Sequence, residues 1–147
     1  SRGTVRLRSA DPLTLPAVDP NFLADADDLQ RTVRGVQIVR RILAQPALAR
    51  HGARELPASA AAQTSEQIAD WVRQYADTIY HPVGTCRMGP GPQDVVDHQL
   101  RVHGVQGLRV VDASIFPRIT SGNTNAPCIM LGEKAAHMVL AEAQRWA

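Results

Sequence analysis

Lysine is nearly missing from this 147-residue chain: Lys134 stands alone, and every other basic side chain is arginine. The same bias goes with a high alanine content and reads as a GC-rich genome. Aromatic residues make up only 4%, and there are two cysteines, Cys86 and Cys128. Two cysteines build no disulfide framework, and without a CxxC pair they offer no thiolate metal site. A reducing, cytoplasmic setting is expected. No apolar run approaches the ~20 residues that cross a bilayer, and the opening Ser-Arg-Gly-Thr does not read as a signal peptide. Net charge is scarce too. Sixteen basic against 14 acidic residues leave +2, far from the concentrated cationic face that binds a phosphate backbone, so no nucleic-acid partner is expected.

Several chemistries drop out in the same way. The five histidines contain no HxxxH pair with a nearby acid, so no metal site is expected. No GxSxG is present, and Ser114 and Ser121 sit on no nucleophile elbow. Neither cysteine carries a local signature of thiol catalysis. What remains is ordinary globular composition, 44% hydrophobic and 20% charged. A chain of this size buries roughly 68–70% of its unfolded surface.

The order of elements can be read along the chain. Thr4-Val-Arg-Leu-Arg-Ser9 alternates as a strand does. Asp11 to Pro20 holds three prolines, which forbid helix and mark a connector. Leu29, Val33, Val36, Val39 and Leu43 then recur at helical spacing, with Asp25, Asp27 and Asp28 in the first turn and Arg40-Arg41 near the end, as the helix dipole prefers. Pro46 stops that helix. Gly52 to Ala62 is small and loop-like. Thr64 and Gln67 form a capping box before a second apolar face of Ile68, Trp71, Val72 and Tyr75. Short strands are expected at 95–97, 100–102 and 108–111. A last helix should begin near Pro127, capped by Asn125, buried at its start around Cys128 to Leu131 and exposed at its end.

Two places could carry chemistry. His81 is fixed between Tyr80 and Pro82-Val-Gly84, and Pro82 pushes it out of the helical region. Ser121-Gly-Asn-Thr-Asn125 precedes the last helix, where unpaired amides and oriented asparagines could meet a polar or anionic ligand. Spacing alone favours a structural role for each. His51 and His137 read as solvated surface, and His103 as an ordinary strand residue.

The motifs taken together say more. Tyr80-His-Pro-Val-Gly-Thr-Cys-Arg-Met-Gly89, Leu100-Arg-Val-His-Gly104, Gly107-Leu-Arg-Val-Val-Asp-Ala-Ser114, Pro117 and Ser121-Gly-Asn-Thr-Asn-Ala-Pro127 closely resemble the C-terminal part of the glucose–methanol–choline oxidoreductases. The likeness is strongest to their choline dehydrogenase-like branch. Ser1-Arg-Gly-Thr-Val-Arg-Leu7, Val18-Asp-Pro-Asn21 and Gly132-Glu-Lys-Ala-Ala136 match as well, so the resemblance runs from end to end in order. That family's dinucleotide fingerprint, GxGxxG between a strand and a helix, is not present.

The resemblance implies an FAD-dependent oxidoreductase that turns a primary alcohol, choline-like or aliphatic, into a carbonyl. His81 matches the family's active-site histidine, suited to taking the hydroxyl proton while a hydride leaves for the flavin. Asn123 matches its partner, able to bind the alkoxide oxygen but unable to act as base. Asn125 and Ala126 would face the flavin's pyrimidine edge, and Asp112 and Ala113 its ribityl and phosphate portion. A quaternary-ammonium cage is normally aromatic, which this composition disfavours. The implied organisation is a substrate-binding domain over 1–92 and a returning segment over 93–147 that completes the FAD-binding domain, whose N-terminal part would be the missing partner. Alone, the chain is expected to be inactive, to bind FAD poorly and to form a homo-oligomer. The rival reading is a non-catalytic binding or assembly module. The expected fold is α+β: a mostly antiparallel sheet including Thr4–Ser9, helices near 25–44 and 64–76 on one face, and a separate lobe of the 108–111 strand and the last helix.

Overall fold

Two short strands open the chain. In the computed structural model, which describes residues 1–144, β1 (Thr4–Arg6) pairs antiparallel with β2 (Ala17–Asp19), Val5 opposite Val18. The last three residues of the expected 93–147 segment lie outside the described residues. Gly3 is required where the strands meet, because a Cβ there would lie 2.2 Å from the Asp19 carbonyl oxygen. The proline-rich connector therefore contains a strand. Pro16 and Pro20 bracket it, and a three-residue strand paired on one side only tolerates prolines at its ends.

Helix α1 (Ala26–Leu43) starts at Asp25, whose carboxylate accepts the Asp27 amide at 2.9 Å, and ends with Arg40 and Arg41 in its last turn. Leu29, Val33 and Val36 face inward against α4 (Ser65–Tyr75), while Val39 and Leu43 line a cleft of about 750 Å³. The expected capping box is formed: Thr64 accepts the Gln67 amide, and the Gln67 side chain accepts the Thr64 amide. Ile68 and Val72 are each only 1% exposed and centre the core with Val33 and Ala62. Burying a side chain of that size contributes about 1.5–3 kcal/mol.

Two short helices were not anticipated. Pro46 does not merely stop α1. It opens α2 (Pro46–Ala49), and Pro57 likewise opens α3 (Pro57–Ala60) inside the stretch expected to be loop, because proline's fixed φ suits a first helical position. Arg40 holds this region: its guanidinium donates to Glu55 Oε1 at 2.7 Å and to the carbonyls of Ser59 and Ala62 at 2.6 and 2.7 Å.

These elements form one compact unit, Ser1–Asp77, and a second begins at Thr78. The second is irregular up to α5 (Asn125–Ala143). The strands expected at 95–97, 100–102 and 108–111 shrink to single bridges, Met88–Val96, Val96–Val102 and Arg101–Arg109. Leu100, Gly104 and Gly107, at φ of 67°, 75° and 73°, turn the chain before any ladder can extend. The core of the unit comprises Val96, Leu100, Ile115, Leu131 and Ala135, with Met88, Phe116 and Met138 against it. α5 is capped at Thr124 rather than Asn125, and Pro127 is its third residue. Its start is not buried as expected. Leu131 faces the core and Cys128 is half-buried, but Ile129 and Met130 are exposed, as is Lys134 further along. The expected α+β class holds, as a two-stranded antiparallel sheet with five helices.

Candidate functional site

The His81 segment enters through a strained turn. Tyr80 lies at φ 60°, a left-handed conformation that costs a non-glycine residue about 1–3 kcal/mol. Gly84 follows at φ 88°, where a Cβ would sit 3.3 Å from the Phe116 carbonyl oxygen. With no side chain at that point, the segment runs close beside residues 114–116. The Cys86 amide donates to the Ser114 carbonyl at 2.9 Å and the Met88 amide to the Ile115 carbonyl at 2.8 Å.

Residues 112–115 form a tight turn. Asp112 caps a 3-10 turn at Ala113–Ile115, its carboxylate accepting the Ser114 amide at 2.8 Å. Asp112 is exposed and Ala113 half-buried. The Ser114 hydroxyl is buried and has no hydrogen-bond partner among the described residues.

The His81 ring is anchored at one nitrogen. Its Nδ1 lies 2.9 Å from the hydroxyl of Thr124, and Nε2 has no hydrogen-bond partner among the described residues. Thr124 is buried, whereas its neighbours Asn123 and Asn125 are exposed, with side-chain amides that bond to nothing in the described residues. The structure thus brings His81 to Thr124 at the start of α5, the residue between the two asparagines in sequence, and ties the same segment to the turn at 112–115. Asn125 and Ala126 are the first two residues of α5, and no side chain caps their amides.

Ion pairs brace the segment behind His81. Arg87 donates to Asp94 at 2.5 Å and the Gly91 amide to the same carboxylate at 2.7 Å. The Arg87 hydrogen bond, with the Gly91 amide behind it, holds the Asp94 carboxyl below the usual range. At Asp97, burial works to raise the carboxyl, but the Arg101 amide and guanidinium and the Gln99 amide outweigh it and hold it low. His103 bonds through Nε2 to the Gly89 carbonyl at 3.0 Å. Cys86 and Cys128 are free thiols, and no group of metal-ligating side chains occurs among the described residues.

Thr124 was the residue that sequence reading passed over. The signal was available in Thr124-Asn-Ala-Pro127. A helix-capping hydroxyl usually accepts the amide of the second or third helical residue, and Pro127 at the third position has none.

The His81 ring is thus anchored at a helix start whose flanking residues in sequence are Asn123 and Asn125. The C-terminal family model of the GMC oxidoreductases matches residues 1–132, and the chain belongs to that family. It is 46% identical to an alcohol dehydrogenase [acceptor] of Pseudomonas putida, over 95% of this chain and 25% of that protein. An oxygen-dependent choline dehydrogenase of Escherichia coli is 48% identical over the same shares. Among solved structures, an FAD-dependent oxidoreductase from Chaetomium thermophilum matches with a TM-score of 0.88 and 31% identity, over 97% of this chain and 25% of that one. The chain therefore spans about a quarter of the length of the relatives it matches.

Proposed function

We propose that this chain is the C-terminal portion of an FAD-dependent oxidoreductase that oxidises a primary alcohol, choline-like or aliphatic, to a carbonyl. The observation that carries the reading is the His81 ring, held through Nδ1 at the start of α5 with Nε2 unengaged. In this reading Nε2 takes the hydroxyl proton of the alcohol, since imidazole titrates near neutral pH and is suited to a general base. The Asn123 amide donates to the oxygen as negative charge develops on it, a role open to a group that cannot accept a proton.

The residues present fit a flavin. Uncapped amides at Asn125 and Ala126 offer donors, backed by the helix dipole, to the electron-rich edge of a ring. Asp112 and Ala113, over the unpartnered Ser114 hydroxyl, offer polar contacts to a polyhydroxyl chain, the Asp112 carboxylate as acceptor. When bound, FAD would supply the acceptor for the hydride leaving the alcohol carbon. The pyrophosphate would be held by a glycine-rich turn in a partner portion outside this chain, so the 147 residues alone are inactive. Within the organisation proposed, residues 1–92 serve the substrate and 93–147 complete the flavin domain, in a cytoplasmic setting that keeps both thiols free.

The test uses the complete flavoprotein that carries this chain. Anaerobic rapid mixing with a primary alcohol should bleach the flavin, and His81→Ala should slow that step about 10²–10⁴-fold, the usual loss on removing a general base. Unchanged bleaching in His81→Ala would overturn the assignment.

A further inference from the structure

The bond between His81 and Thr124 supports a more specific role than anchoring. We propose that Thr124 is a positioning residue that sets the tautomer of His81, keeping the proton on Nδ1 and leaving the Nε2 lone pair open. The inference rests on the reading of His81 as the base and deepens it.

Three features of the chain converge on this. The first is the release of the hydroxyl from its ordinary work. Thr124 occupies the capping position of α5 yet makes no side-chain cap, because Pro127 has no N–H to give it and the Thr124 backbone is already helical, at φ −78° and ψ −8°. The second is seclusion. Thr124 is 8% exposed, the one polar residue buried as a whole among the described residues. Its bond to the ring is therefore little weakened by competing water, and the hydroxyl would be left unsatisfied without it. The third is chain geometry. The left-handed Tyr80 and the Pro82 that follows restrict the backbone on either side of His81, and the ring meets the hydroxyl with Nδ1.

A neutral imidazole carries one proton, and its tautomer follows from the bond its other nitrogen makes. Free histidine in water favours the proton on Nε2, which would leave nothing at that atom to accept another. The Thr124 hydroxyl can equally donate to a bare Nδ1; the reading of Nε2 as the base requires the opposite sense, with the Thr124 oxygen accepting and the proton on Nδ1. When Nε2 then gains the proton of the alcohol, Nδ1–H remains where it was and its bond strengthens, since a charged donor makes the stronger hydrogen bond. No heavy atom has to move.

The primary test reads the ring and not the reaction. Nitrogen-15 NMR of histidine-labelled protein, at a pH where His81 is neutral, distinguishes the two tautomers directly. The Nδ1–H form should dominate in the wild type and in Thr124→Ser, whereas Thr124→Val, of equal size but without the hydroxyl, should shift the balance to Nε2–H. A wild-type ring already in the Nε2–H form, or a Thr124→Val ring unchanged from wild type, would overturn the proposal. The wild-type measurement stands even if Thr124→Val folds poorly. In the complete flavoprotein, Thr124→Val should lower the rate of flavin reduction at saturating alcohol roughly 2–10-fold, the worth of one hydrogen bond, with Thr124→Ser restoring it. The two readings fail separately. If His81→Ala leaves flavin reduction intact while the tautomer follows Thr124, the assigned base is wrong and the positioning contact still stands.

Discussion

At the scale of single residues, the sharpest division is between His81 and Asn123. Both lie in the second unit, and they differ in what their side chains can accept. Only the imidazole can take a proton, while the amide can only donate to oxygen. Asn123→Ala should therefore slow flavin reduction in the complete protein by roughly 5–150-fold, the loss of one polar contact to a charged atom, well short of the loss at His81. Rapid-mixing absorbance decides the order, and a larger loss at Asn123 would reverse the roles. A second residue-level expectation concerns acid. Asp94 has its folded pKa depressed by the Arg87 hydrogen bond and then the Gly91 amide. A depressed carboxyl contributes stability that is complete above its unfolded value of about 3.9 and is lost as pH falls through the lower folded value. The second unit should lose stability below about pH 4, and Asp94→Asn should flatten that part of the curve in thermal melts from neutral to strongly acidic pH.

At the scale of elements, α4 is defined at its start by four residues. Thr64 and Gln67 exchange hydrogen bonds there, so Thr64→Ala should remove about 1 kcal/mol and expose the first-turn amides, seen as faster hydrogen exchange at Gln67. That capping box was legible because it is written in adjacent residues, as were the apolar stripe of α1 and the existence of α5. The strands of the second unit were not. Val95-Val96 and Leu108 to Val111 have strand composition, but the left-handed turns at Leu100, Gly104 and Gly107 cut each to one bridge, and a leucine at positive φ gives no warning in sequence. α2 and α3 were missed for another reason: Pro46 ends one helix and also starts the next, and Pro57 starts one inside a stretch of loop-like composition. At the site, His81 and the asparagines were legible as motif. The contact between His81 and Thr124 was not, because the two lie 43 positions apart and a capping threonine looks alike whichever partner it serves.

At the scale of the whole molecule, two separate hydrophobic cores serve two units, and neither contains a glycine-rich phosphate turn. The isolated chain should therefore bind FAD weakly. Titration followed by flavin fluorescence should show no tight one-to-one complex, and finding one would refute the division of labour proposed above. Ile129 and Met130 stand exposed on α5, and Leu7, Leu13 and Leu15 are each more than three-quarters exposed. Apolar surface of that kind is rarely left uncovered on soluble chains. We accordingly expect the isolated chain to self-associate, with its sedimentation coefficient rising with concentration. A strictly monomeric chain at all concentrations would count against it. The lone lysine has a use at this scale as well. Lys134 is exposed on α5, so an amine-directed reagent finds one side-chain address besides the chain's α-amine, and a dye placed there would watch the final helix without any engineered cysteine.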